Sequence, residues 1–137
     1  MADLLDEIRS LDEPLAAAGD ELASVRANLA DAVASVANTT DWMLERGLAD
    51  VRDALAGATP YLRACALVVG GWLMARQALA ARTALAAGHG ERRVLEAKLT
   101  TARFYAEQLL PAVHGLAGPA TAGFQVLYEL DAAQLSG

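Results

Sequence analysis

The stretch ACALVVGGWLMA at positions 64–75, bounded by Arg63 and Arg76, constrains this chain more than any other feature. Twelve consecutive uncharged residues must leave water, either in a bilayer or in a protein core. A helix rises about 1.5 Å per residue, so the run reaches only about 18 Å against a hydrocarbon layer of roughly 30 Å. Extending it meets an arginine at each end, and an arginine near the bilayer centre costs at least about 2.5 kcal/mol. The run is therefore expected to be a core helix, with no membrane span.

Gly70 and Gly71 inside that helix need a cause, because each costs about 1 kcal/mol relative to alanine. Removing the Cβ lets another backbone or a bulky ring approach, and Trp72 and Met74 flank the place where it would. A tight helix crossing is the expectation; a groove that admits a ligand or partner chain is the functional alternative.

The rest of the chain supplies helices to surround this one. Alanine is the commonest residue and aromatics are only 5% of the 137 residues, which favours closely approaching helices and an all-α fold. Leu4, Leu5, Ile8 and Leu11 have helical spacing in a short leading arm that stops before Pro14. Asp20 and Glu21 then open a helix with Leu22, Val25, Leu29, Ala32, Val36 and Met43 on one face, expected to end at Arg46 with Gly47 as its stop. Leu48, Val51, Arg52 and Leu55 suggest a short helix up to Gly57. Thr59 can cap, and Pro60 can start, a central helix that runs to about Ala87 and is apolar nearly all round in its first half, as a helix enclosed by others would be.

Gly88-His89-Gly90 ends it, and a third long helix carries Leu95, Leu99, Ala102, Ala106, Leu109 and Val113. Pro111 cannot donate to the carbonyl of Glu107, so a kink is expected there. After Gly115 to Pro119, a fourth helix from Ala120 to Gln134 would present Phe124, Leu127, Tyr128 and Leu130. Short connections favour antiparallel neighbours, hence a four-helix up-and-down bundle over residues 20–137 with a helical arm or linker over 1–19.

Chemistry is sparse. The formal net charge is −6 and no run of Lys or Arg occurs, which argues against nucleic acid or an anionic lipid surface. His89 and His114 have no second ligand at helical spacing, so no metal site is expected, and His114 reads as a cation near a helix end. No phosphate-cradling glycine pattern is present. Ser10, Ser24, Ser35 and Ser136 have no strained elbow or partner base. Asp12-Glu13 and Asp20-Glu21 suit helix entrances rather than acid–base work. Cys65, the single cysteine, has apolar neighbours that raise its pKa and mark a buried thiol. The N-terminus lacks the basic start and apolar block of a secretory signal, so the cytoplasm is the expected location. On the third helix Arg103 and Glu107 are spaced to pair, and Arg103, Phe104 and Tyr105 within ARFYAEQLLP make the preferred contact surface, with Gly70, Gly71 and Trp72 as further positions of interface or close helix packing.

Two segments carry a resemblance. ATPYLRACALVVGGWLMARQALAA at 58–81 and EAKLTTARFYAEQLLP at 96–111 resemble the C-terminal accessory domain that follows the catalytic body in a bacterial branch of acyl-CoA dehydrogenases, across about residues 20–130. The resemblance implies a helical extension of a flavoprotein, with residues 1–19 joining it to the body. It implies a non-catalytic association module that packs on that body or forms a homo-oligomer. The family's FAD-binding residues and glutamate base belong to the body, so no catalytic or cofactor residue carries over to this chain. Two other readings are a small helical protein holding an acyl chain between its helices, and an enzyme acting on acyl-CoA by itself. A pocket open beside Gly70, Gly71 and Trp72 would favour the first of these; solid packing there would not.

Overall fold

The computed structural model describes residues 1–135, so Ser136 lies outside the described residues. Among them the chain is all helical, with no strand. The leading arm forms α1 (Ala2–Arg9) and α2 (Asp12–Ala17). A 3-10 turn over Gly19–Leu22 then leads into α3 (Ala23–Ala49). The arm packs along α3: Leu5, Ile8, Leu15 and Ala18 are buried in the same core as Leu22, Val25, Leu29 and Val36. Each fully buried leucine or isoleucine among them contributes roughly 1.5–3 kcal/mol of transfer free energy. Arg26 reaches back from α3 to grip Asp12 at 2.7 and 2.8 Å, and those bonds hold the Asp12 carboxyl below its ordinary pKa.

The break between the first two long helices is more abrupt than the glycines suggest. α3 passes through Gly47, and α4 runs without interruption from Val51 to Ala86. Asp50 alone is extended between them, its carboxylate accepting the Arg52 backbone N–H at 3.0 Å as an N-cap. The expected short helix and the restart at Thr59-Pro60 are therefore corrected: Pro60 lies inside α4. Gly47 and Gly57 serve packing instead of termination. A Cβ on Gly47 would lie 2.9 Å from that of Ala54, across the hairpin, and one on Gly57 would overlap the backbone carbonyl of Ala120. α4 does end near Ala87, with Gly88 and Gly90 at positive φ.

The third rod comprises α5 (Arg92–Phe104), a π-helical turn over Tyr105–Leu109 and α6 (Ala112–Ala120). The disturbance expected from Pro111 takes the form of that π turn, in which the Leu110 N–H reaches the Tyr105 carbonyl at 3.1 Å. The wider turn moves the buried seam by one residue. Leu110 faces the core in place of the expected Leu109, which is 40% exposed, and Leu99, Ala102, Ala106 and Val113 complete it.

The expected fourth helix over 120–134 does not form. α6 continues through Gly115 and Gly118 to Ala120, Gly123 takes φ +77°, and a 3-10 turn (Gln125–Tyr128) and the one-turn α7 (Ala132–Leu135) follow. Leu127, Tyr128 and Leu130 are exposed. His114 is thus in the first turn of α6, exposed, and not near a helix C-terminus. The long elements are three rods, α3, α4 and α5–α6, with the arm laid against α3.

Candidate interaction surface

α4 packs against both α3 and the α5–α6 rod, which also touch each other, and its inner face explains the glycine pair. A Cβ on Gly70 would overlap the Tyr105 hydroxyl, which donates to the Leu67 carbonyl at 3.1 Å. A Cβ on Gly71 would come within 2.9 Å of both Leu110 methyl carbons. The ring and the leucine fill the space the glycines leave, and the π turn is what sets Tyr105 and Leu110 at those heights. Trp72, half-buried beside them, has the Arg76 guanidinium 5.0 Å from its ring centroid.

Of the expected contact surface, Arg103 and Phe104 take no part in this packing and stay open to solvent, Phe104 by 58%. Tyr105 alone of the three reaches Gly70. Arg103 and Glu107 do not form the expected ion pair among the described residues; the π turn begins between them and alters the four-residue spacing that a regular helix would give. A surface groove of about 550 Å³ runs between α4 and the third rod, lined by Arg63, Ala66, Leu67, Gln108, Leu109 and Leu116 among others.

The outer face of α4 departs most from expectation. By length and composition α4 could cross a bilayer, while its inner residues Ala64, Val68, Gly71, Ala75 and Ala78 are buried against the chain's own helices. It is not enclosed all round. Val51, Leu55, Leu62 and Leu73 are 61%, 68%, 70% and 48% exposed. At about 100° per residue these four and half-buried Val69 fall in one narrow sector of the helix.

Asp53 is the polar residue that sequence reasoning missed. It is 1% exposed; one carboxylate oxygen receives the Phe124 backbone N–H at 3.1 Å and the other meets Arg46 at 3.1 Å. Arg52 stacks over the Phe124 ring at 4.0 Å. These contacts fasten the segment after α6 to the α3–α4 hairpin. The signal was available: Asp53 is one helical turn before Gly57, on the face that continues to Ala64, Val68 and Gly71.

Cys65 is half-buried rather than fully buried, and burial pushes its thiol pKa up. One turn earlier Tyr61 shares a 2.8 Å hydrogen bond with Thr40 of α3, and burial raises its pKa too. Among the described residues no group of three or more His, Cys, Asp or Glu is placed to hold a metal.

The sequence matches the family described as "Acetyl-CoA dehydrogenase C-terminal like" over residues 4–131. It is also 33% identical, over 103 residues, to a protein named 3-methylmercaptopropionyl-CoA dehydrogenase from Ruegeria pomeroyi. That stretch is 75% of this chain and 17% of the relative.

Proposed function

The chain belongs to the acetyl-CoA dehydrogenase C-terminal-like family, and from that premise we propose that it is a non-catalytic association module of an acyl-CoA dehydrogenase-like flavoprotein. In this reading it supports packing of subunits or docks on the catalytic body, in the cytoplasm and without crossing a membrane. The observation that carries the proposal is the open apolar face of α4, since contiguous exposed apolar surface of this kind marks an interaction site.

Catalysis belongs to the body in this reading, and so does FAD. The groove beside the π turn, with Arg63 as its cation among Ala66, Leu67, Leu109 and Leu116, does not fit a flavin dinucleotide, whose diphosphate calls for converging N–H donors. The acyl-chain-binding alternative finds no support at the glycine pair, where Tyr105 and Leu110 occupy the space.

Co-expression with an acyl-CoA dehydrogenase body from the same genome is the test. Co-elution of the two, together with no flavin absorbance and no acyl-CoA turnover by the chain alone given FAD and a dye acceptor, is the expected result. Turnover by the chain alone contradicts the proposal.

A further inference from the structure

The stripe on α4 has a symmetry that the family assignment does not require. Val51, Leu55, Leu62, Val69 and Leu73 are spaced so that reversal about Leu62 maps Val51 onto Leu73, Leu55 onto Val69 and Leu62 onto itself. The set covers a sector of about 40° and a length of about 33 Å. In a twofold contact residue i of one copy meets j of the other and j meets i, so this spacing sets an apolar residue against an apolar one at all five positions.

The charge distribution favours the same meeting. Residues 1–49, the arm and α3, hold ten Asp and Glu against three Arg, whereas residues 50–137 hold seven against eight Lys and Arg. The acidity is concentrated in the elements packed on the inner side of α4, and no acidic residue follows Asp53 on that helix. Two copies approaching through their outer α4 faces meet through the less acidic part of the chain, which limits like-charge repulsion. Arg76, just beyond the stripe, would fall beside the hairpin of the opposite copy, where Asp50 is.

We propose that the outer face of α4 is a homodimer surface on which two copies of this chain pair antiparallel, with the twofold axis at Leu62. This deepens the association reading and rests on it. The pairing covers Leu55, Leu62 and Leu73, which the fold leaves in water, and it would tether two catalytic bodies.

Sedimentation velocity of the whole chain across a concentration series tests the proposal, with circular dichroism as the control for folding. The expected result is a concentration-dependent dimer that Leu62→Glu weakens about 30-fold or more while helix content is unchanged. In a Cys65→Ser background, Leu62→Cys should form an intermolecular disulfide on mild oxidation, because the axis brings that position against itself. Leu44→Cys, also exposed but off the stripe, should not. A dimer indifferent to Leu62→Glu, or equal cross-linking at both positions, overturns the assigned face. Stripe-dependent binding to phosphatidylglycerol vesicles by a chain that stays monomeric overturns the partner. A monomeric chain that still co-elutes with a dehydrogenase body overturns self-pairing and leaves the module reading standing.

Discussion

The two faces of α4 are made from the same apolar alphabet and have opposite fates. The inner face is small, with Gly57, Ala64, Gly71, Ala75 and Ala78 buried, and each glycine is met by a backbone or a large side chain from the third rod. The outer face is large, with Leu55, Leu62 and Leu73 in solvent. Helix packing turns on approach distance as well as hydrophobicity. Small residues let neighbours close over one side of α4, and the bulky stripe is left for a contact beyond the fold.

The largest effect expected from breaking this asymmetry is at Gly57. Gly57→Val drives side-chain carbon into the Ala120 backbone, which cannot rotate away, and should cost about 3 kcal/mol in urea unfolding. Asp53→Ala comes next. It leaves the Phe124 N–H and the Arg46 guanidinium without their buried acceptor and should cost about 2 kcal/mol, with the earliest gain in amide exchange at residues 123–125. Tyr105→Phe removes the bond to the Leu67 carbonyl while keeping the ring against Gly70, and about 1 kcal/mol is expected. On the outer face, Leu55→Ser should change the unfolding free energy of the dilute chain by less than about 0.5 kcal/mol. A cost there comparable with that at Gly57 would erase the distinction between the faces.

Acid sharpens the comparison from a third side. Asp12 is held below its ordinary pKa by its bonds to Arg26, and Asp50 likewise by Arg52. Their contribution is therefore present above the unfolded carboxylate pKa of about 3.9 and is lost as pH falls through the lower folded value. The arm and hairpin should loosen first in an acid titration followed by amide exchange. Asp12→Asn should remove the pH dependence from the arm alone.

Much of this was legible in the sequence. The all-helical class, the arm, the α3 face through Val25, Leu29 and Val36, and the stop at Gly88 follow from periodicity and helix-ending glycines. What escaped was decided at a distance. Gly47 and Gly57 resemble stops until the facing Ala54 and Ala120 are known. The fourth helix failed because Gly123 turns the chain and Asp53, far away in sequence, takes the Phe124 N–H. Gly70 and Gly71 were recognisable as a close approach; the occupants were not, because the π turn that delivers Tyr105 and Leu110 shifts the register by a residue. The open stripe was hidden for another reason. A helix apolar on every side looks enclosed whether its last neighbour comes from the same chain or another.

Thiol labelling along α4 tests the central claim most directly. In a Cys65→Ser background, single cysteines at Leu62 and Leu73 on the outer face, and at Val68 and Ala75 on the inner, would be timed against a maleimide in dilute native protein. The account predicts labelling at 62 and 73 faster by at least about tenfold than at 68 and 75, whose native residues are 1% and 0% exposed. Equal rates at all four positions, or protection of 62 and 73 at every dilution, would contradict it.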